Sequence, residues 1–425
     1  MAGRRIVDLF AGAGGWEEGL RALGLRALGI ECDRLACETA RAAGHERLED
    51  DIADLDPEAF GPLWGLIASP PCQAYSIAGK KLGRADEAAV IACAHDLAAG
   101  LDSRARHLEA YADARSLLTV EPLRFALALR PRWIALEQVP AVLGLWELFA
   151  SLLRSHGYRC ATGLLSAERY GVPQARKRAF LIASLDGELA LPAPTHRSFH
   201  PRRHSVPAEE ADLPTWVSMA EALGWGPGPA TLRSNHTSSG RIPGGAPRSL
   251  DRPAFTLIGS SYTWRIEKGV RQEDVAPGPG WARRRPATTV LGEPRVFGPG
   301  CWPRNGHPAD KVRRETVRVT VEQASILQGF RHDYPWQGPR TARFRQIGNA
   351  VCPPVARAVL AEAMRPSLGP ARRISGPTDD AARAASRDAS GDGRESPRRP
   401  RIPHRERPRG RGRAPKSSLP KEVRP

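Results

Sequence analysis

The sequence predicts an α/β protein, a doubly wound and mostly parallel sheet with a smaller, irregular, β-rich domain set into it. Three observations lead there. Short apolar runs alternate with helical stretches from Arg5 to about Leu185. A glycine turn, Gly12-Ala13-Gly14-Gly15, joins the first run to the first helix. The texture then changes to dense Pro, Gly, Arg and Trp between about Asp186 and Arg314. Strands separated by helices imply crossover connections, which build parallel sheets covered on both faces.

The elements follow in order. Residues 6–10 read as a buried strand, and 16–23 as a helix with Leu20 and Leu23 on one face. Residues 26–30 form a second strand pattern. Residues 66–68 form a third, ended by Ser69-Pro70-Pro71, and 133–136 and 180–184 two more. Residues 82–112 predict an extra helix pair with no chemistry assigned. In the irregular region, 216–223 predicts a helix with Val217, Ala220 and Leu223 aligned. Residues 252–257 and 285–290 echo each other, as two short strands entered through a proline turn. Helical pattern returns at 321–327 and 354–364. Beyond Arg365 large apolar residues almost vanish, which predicts a disordered tail. The expected domains are 1–185, an inserted 186–317, a return at 318–365, and a basic tail at 366–425.

Composition narrows the partners. The chain has 425 residues, 41% of them hydrophobic, as suits a globular enzyme, and a net charge of +17. That charge favours a polyanion, nucleic acid first, although richness in Arg, Ala, Gly and Pro also fits a GC-rich genome. The tail from Pro366 holds 16 Lys and Arg against 7 Asp and Glu, a net +9, which leaves +8 on the body. Seven cysteines, an odd number with no CxxC pair, argue against a disulfide framework or zinc ribbon and for a reducing compartment. No run has membrane-spanning length, and the first residues do not read as a signal peptide. The expectation is a cytoplasmic protein. His196, His200 and His204 recur every four residues, but Pro201 and two arginines break that face, so no metal is expected.

The chemistry concentrates in a few motifs. In Asp8-Leu9-Phe10-Ala11-Gly12-Ala13-Gly14-Gly15, glycines allow a tight turn and close approach to a ligand at a helix N-terminus. Glu31 ends the second strand, suited to ribose hydroxyls, and Asp51-Ile52 follows where a carboxylate can meet an adenine amino group. Ser69-Pro70-Pro71-Cys72-Gln73-Ala74-Tyr75-Ser76 presents one cysteine on a loop stiffened by two prolines. A thiolate there is a strong nucleophile.

The glycine turn and Pro70-Pro71-Cys72-Gln73 together resemble the DNA (cytosine-5)-methyltransferase family. The resemblance continues in order through Glu137-Gln138-Val139, Gln174-Ala175-Arg176-Lys177-Arg178, Glu322 with Gln328-Gly329-Phe330, and Gln346-Ile347-Gly348-Asn349-Ala350-Val351 before Pro353-Pro354. Asp113 and Leu117 stand in place of a weaker motif. The match covers about residues 5–185 and 318–365, and the ordered set is far more specific than any one member.

The resemblance implies an S-adenosylmethionine-dependent enzyme with a Rossmann-like fold, acting on a cytosine flipped out of double-stranded DNA. Cys72 would attack C6, Glu137 would act at N3, and Arg176 would bond the base O2. Phe10, Gly12, Gly14, Glu31, Asp51, Ile52, Pro70, Asn349 and Ala350 match positions that contact the methyl donor. Gln73, Ser76, Lys80, Lys81, Gln174 and Arg178 fall on the loops facing DNA. The inserted domain corresponds to the target-recognition domain, with Thr256-Leu257 or Thr289-Val290 as its threonine-aliphatic signature. One departure is Gln138, where the family carries an Asn that buttresses the cysteine loop. A monomer is expected, as the modification half of a restriction–modification pair beside a separately acting endonuclease, an orphan enzyme or a phage protein. A tRNA cytosine-5 methyltransferase of the DNA type and a DNA-binding protein with a decayed site stand as alternatives.

Overall fold

The computed structural model describes residues 4–71, 83–108, 114–199, 205–224, 230–233, 248–249, 251–256, 265–268 and 315–368. Cys72, Gln73, Ser76, Lys80, Lys81, Asp113, His200, His204, Leu257, Thr289 and Val290 lie outside these residues, as does the tail beyond Leu368.

The chain opens with β1 (Ile6–Leu9), α1 (Gly15–Arg21), β2 (Leu28–Glu31), α2 (Arg34–Ala42) and β3 (Glu46–Glu49). Next come β4 (Gly65–Ala68), the expected helix pair α3 (Gly83–Ala98) and α4 (Arg104–Leu108), and α5 (Glu121–Leu129). The domain continues with β5 (Trp133–Gln138), α6 (Leu143–Ser155), β6 (Arg159–Ser166), β7 (Gln174–Ala175) and β8 (Lys177–Ser184). After α7 (Met219–Ala222) the described strands are β9 (Ala230–Arg233), β10 (Arg248–Ser249), β11 (Ala254–Phe255), β12 (Arg265–Lys268) and β13 (Glu315–Arg318). The chain closes with α8 (Val321–Leu327), α9 (Arg340–Asn349) and α10 (Pro353–Leu368).

Seven strands form one sheet in the order β3-β2-β1-β4-β5-β8-β6. β3 to β5 pair in parallel, whereas β8 runs antiparallel to both β5 and β6. The order reverses between β1 and β4, which opens a crevice at the carboxyl ends of those strands. A four-stranded antiparallel sheet, β10-β9-β12-β13, holds the β-rich character expected of the insertion. β11 pairs with β7.

Alternation along β1 divides the core. Val7 and Leu9 join Ile30, Leu66, Leu136 and Leu181 beneath α5 and α6, where Phe125, Trp146 and Phe149 are buried. Ile6 joins Ile67, Trp133, Phe180 and Ile182 on the other face, beneath Trp16 and Leu20 of α1 and Val355, Val359 and Leu360 of α10. Side chains one apart on a strand point to opposite faces, so one sheet serves two helical layers.

Three of the departures from the sequence reading have plain physical reasons. β3 has the charged sequence Glu-Arg-Leu-Glu and sits at the sheet edge, where apolar periodicity fades. The helix expected at 216–223 shrinks to α7, started by a Ser218/Glu221 capping box and ended before Gly224 at a φ of 62°. α10 passes the expected boundary at Arg365 and takes Pro366 into its last turn.

β3 also delivers a buried cation. Arg47 pairs with Glu17 of α1 and donates from Nε and Nη2 to the Gly12 carbonyl at 3.3 and 3.1 Å. Nη2 also reaches the Ala11 carbonyl at 3.4 Å. Gly29 leaves the space: a Cβ there would stand 2.0 Å from Arg47 Nη1. Asp8 lies beside this pair, wholly buried, with neither carboxylate oxygen hydrogen-bonded. Burial, then repulsion from Glu17, pushes its carboxyl well above the usual range. The protonated form is therefore favoured by folding. Its contribution is whole below the ordinary carboxylate value of about 3.9 and fades as pH rises through the raised folded value. Asp8→Asn, which cannot titrate, should gain urea-unfolding stability on the native chain by about 1.4 kcal/mol per pH unit across that interval. Parallel stability curves for the two chains would refute this account of Asp8.

Candidate active site

The parallel strands bring their carboxyl ends to one edge. β1 leads into the glycine turn through Phe10, held at a φ of 58°. A non-glycine residue there is strained, as is common at ligand clamps. The Glu31 carboxylate accepts from the backbone N–H of Gly12 at 2.9 Å and of Asp33 at 2.8 Å, one on each oxygen. Each oxygen keeps a further lone pair for a hydroxyl. Gly12 has a φ of 55° and nothing within 4 Å of where its Cβ would stand, so its outer side is open. Asp51 is exposed and caps the following turn, accepting from Ala53 N–H at 3.0 Å, while Ile52 beside it is buried.

Gly14 differs from Gly12. A Cβ on it would meet the Tyr334 hydroxyl at 2.6 Å and His45 at 2.8 Å. Its missing side chain makes room for protein. Two carboxylates, an open backbone turn and an apolar floor suit the hydroxyls and amino group of a nucleoside, so the residues fit the adenosine half of S-adenosylmethionine.

Glu137 is buried at the end of β5, next to β4 and the Ser69-Pro70-Pro71 turn. Arg178 Nε lies 3.1 Å from Glu137 Oε1, an ion-pair distance, but that oxygen accepts no hydrogen bond. A small concavity is lined by Glu137, Arg176, Arg178, Phe180 and Cys352, among others. Burial pushes the Cys352 thiol up to about 11, so it stays neutral there. Gln138, the residue that departs from the family pattern, donates from its side-chain amide to the Pro70 carbonyl and accepts from Val139 N–H. The longer side chain thus holds the turn that leads to Cys72.

The returning segment locks onto this edge. Arg176 donates to the carbonyls of Gly348 at 3.1 Å and Ala350 at 3.3 Å. Gln174 bonds the Leu327 carbonyl at 3.1 Å and the Gln328 side chain at 2.7 Å, and Gln328 bonds the Ala350 carbonyl at 2.6 Å. Asn349 is exposed and Ala350 buried. The structure therefore gathers Gly12, Glu31, Asp51, Pro70 and Glu137 along the sheet edge, sets Arg178 at ion-pair distance from Glu137 with Arg176 lining the same concavity, and turns Gln174 inward. Thr256 donates to the Ala175 carbonyl at 2.9 Å, which joins the first copy of the threonine echo to the Gln174–Arg176 turn. Among the described residues no group of three or more His, Cys, Asp or Glu could hold a metal ion. Sequence reading missed Arg47 and Tyr334, which act on backbone carbonyls and carry no spacing signal; it had Gln328 as a motif residue without its bond to the Ala350 carbonyl.

The sequence pattern of the family described as C-5 cytosine-specific DNA methylase matches residues 4–94, 103–222 and 277–365. Similar curated proteins include Type II methyltransferase M1.HphI of Haemophilus parahaemolyticus, 25% identical across 83% of this chain and 84% of that protein. Type II methyltransferase M.NaeI of Lentzea aerocolonigenes is 28% identical across 84% of this chain and 74% of that protein. Among solved structures, the S. pombe Dnmt2 methyltransferase has the same fold, with a TM-score of 0.52 at 14% identity over 86% of this chain and 99% of that one.

Removing the Gln138 amide tests its support of the turn. Gln138→Leu should cost about 1–3 kcal/mol in urea unfolding, because it leaves the Pro70 carbonyl and Val139 N–H without side-chain partners. Gln138→Asn, one methylene shorter, should fall between. An unchanged midpoint in Gln138→Leu would mean that the turn is held by other contacts.

Proposed function

The chain belongs to the C-5 cytosine-specific DNA methylase family, and from that premise we propose how its residues divide the work. It methylates cytosine at C5 in DNA, and the family uses S-adenosylmethionine. When bound, that molecule supplies an electrophilic methyl group. In this chain we assign Glu31 to its ribose hydroxyls and Asp51 with Ile52 to its adenine, with Phe10 and Gly12 forming the turn it lies against. Pro70, Asn349 and Ala350 complete the pocket, and Gly14 shapes it from behind.

Cys72 is the nucleophile. Its thiolate forms a bond to cytosine C6 and the electron pair moves toward N3, where Glu137 gives a proton or hydrogen bond. C5 is then nucleophilic enough to take the methyl group. Solvent water takes the C5 proton, that bonding pair forms the C5–C6 double bond as the C6–S pair leaves on sulfur, and N3 returns its proton to Glu137, which restores the aromatic ring and frees the thiolate. The observation that carries Glu137 is its buried carboxylate at the strand end, with one oxygen that accepts no hydrogen bond. An ion-pair neighbour, Arg178, stands 3.1 Å from that oxygen and is placed to meet the neighbouring base oxygen with a charge-assisted bond. We therefore assign the O2 contact to Arg178. Arg176, whose amino groups tie Gly348 and Ala350, holds the returning segment.

Gln73, Ser76, Lys80 and Lys81 are proposed to face DNA, the lysines on phosphates. Residues 186–317 are the proposed target-recognition domain between catalytic segments 1–185 and 318–365, with 366–425 a basic tail. The likeness to Type II methyltransferases supports a restriction–modification role, with a separate endonuclease as the cognate partner. Among the described residues no helix is long and apolar enough to cross a membrane. We propose a cytoplasmic monomer that needs no metal.

Expression in a methylation-free bacterial host tests this reading. Sequencing should find 5-methylcytosine at one short DNA motif, and none with Cys72→Ser. Glu137→Gln should lower the rate by about 10²–10⁴. Arg178→Ala should lose methylation while unfolding like the native chain; Arg176→Ala should unfold earlier. The reverse pattern would return the O2 contact to Arg176. Methylated tRNA with unmodified DNA would overturn the DNA reading.

A further inference from the structure

The helix pair α3–α4 makes contacts that its sequence does not suggest. Arg104, the first residue of α4, sits in a cage of oxygens. Asp102 forks onto it, with Oδ1 2.9 Å from Nε and Oδ2 2.8 Å from Nη2. Glu121 of α5 accepts from Nη1 at 2.8 Å. The same nitrogen donates to the Ala53 carbonyl at 3.1 Å. Glu121 also holds Arg124, its Oε2 standing 2.7 Å from Arg124 Nε. Arg124 in turn donates to the carbonyls of Leu55 and Ile52, both at 2.9 Å.

Three carbonyls of one turn, those of Ile52, Ala53 and Leu55, are thus held by two arginines bridged through one buried carboxylate. Ala53 is gripped at both ends, because its N–H is taken by Asp51 and its carbonyl by Arg104. Moving that peptide would move the Asp51 carboxylate. A short turn has few internal partners for its carbonyls, so its shape depends on donors from elsewhere. Of this helix pair only residues 95–102 fall between the stretches 4–94 and 103–222 that match the family pattern, so Asp102 lies in the break and Arg104 just inside the second stretch.

We propose that the helix pair α3–α4 is a strut for the methyl-donor pocket, with Arg104 a positioning residue that sets Asp51 and Ile52 against the adenine. This rests on the assignment of Asp51 and Ile52 to that pocket. The pair therefore acts on donor affinity and leaves the reacting carbon and the DNA alone.

Calorimetric titration with S-adenosylhomocysteine tests it without turnover, beside steady-state kinetics on DNA. Arg104→Ala should raise the S-adenosylhomocysteine Kd and the S-adenosylmethionine KM about tenfold, as loss of its one charge-assisted bond to the turn, at the Ala53 carbonyl, implies. The kcat and the DNA KM should stay within about twofold, since uniform binding is all that is lost. Arg104→Lys, which keeps a donor, should recover part of the affinity. Asp102→Ala, which removes the fork and leaves the other two contacts, should give about threefold by the same reasoning. It decides the matter if Arg104→Ala fails to fold. An unchanged Kd in both, with a weakened Kd in Asp51→Ala, would overturn the strut alone. An unchanged Kd in Asp51→Ala would remove the pocket assignment and the strut with it. An equal fall in kcat and rise in both KM values would reduce Arg104 to general support and also overturn the proposal.

Discussion

How near the end of the chain can come to its beginning decides the shape of the site. A Cβ on Gly15 would stand 2.3 Å from the Val351 carbonyl, and one on Gly19 2.8 Å from Ala356 Cβ. These two glycines let α10 lie directly on α1, and the segment before α10 then reaches the turn after β1. Without that approach Ala350 could not accept from Arg176 and Gln328, and the carboxyl edge of the sheet would lose one wall. Glycine turns are commonly read as ligand cradles. Here Gly12 alone keeps an open side, while Gly14 and Gly15 admit other parts of the same chain.

The same economy recurs in the arginines. Loops at the edge of a parallel sheet leave carbonyls with no ladder partner, and a buried carbonyl without a donor is costly. Arg47 covers those of Ala11 and Gly12, Arg124 those of Ile52 and Leu55, Arg104 that of Ala53, and Arg176 those of Gly348 and Ala350. Each planar guanidinium has several donors in fixed directions, so it can serve a carboxylate and a carbonyl together. Arginine in this chain is therefore more than surface charge or codon preference. Part of it is internal scaffolding.

Gln138 shows how a departure from a family pattern can be absorbed. An Asn at that strand end would carry its amide one methylene closer to the backbone. The Gln amide still reaches the Pro70 carbonyl, and its oxygen takes the Val139 N–H. Both ends of the amide are satisfied, which is why a buried polar side chain is tolerated there.

The sequence by itself determined the strands 6–10, 26–30, 66–68, 133–136 and 180–184 to within a few residues, the helix pair after Lys81, and the acids Glu31 and Glu137 at strand ends. Period-two burial and turn chemistry are local, and local patterns survive in one dimension. It could not show the edge strand β3, whose charges hide its pairing, nor the antiparallel run of β8. Tertiary structure alone put Arg178 at ion-pair distance from Glu137, set Gly14 against Tyr334 and His45, and brought Arg104 onto a turn 51 residues before it. These contacts join a side chain to a distant backbone carbonyl. Every residue offers the same carbonyl, so its chemistry leaves no mark in the sequence, and only the fold selects which one an arginine finds.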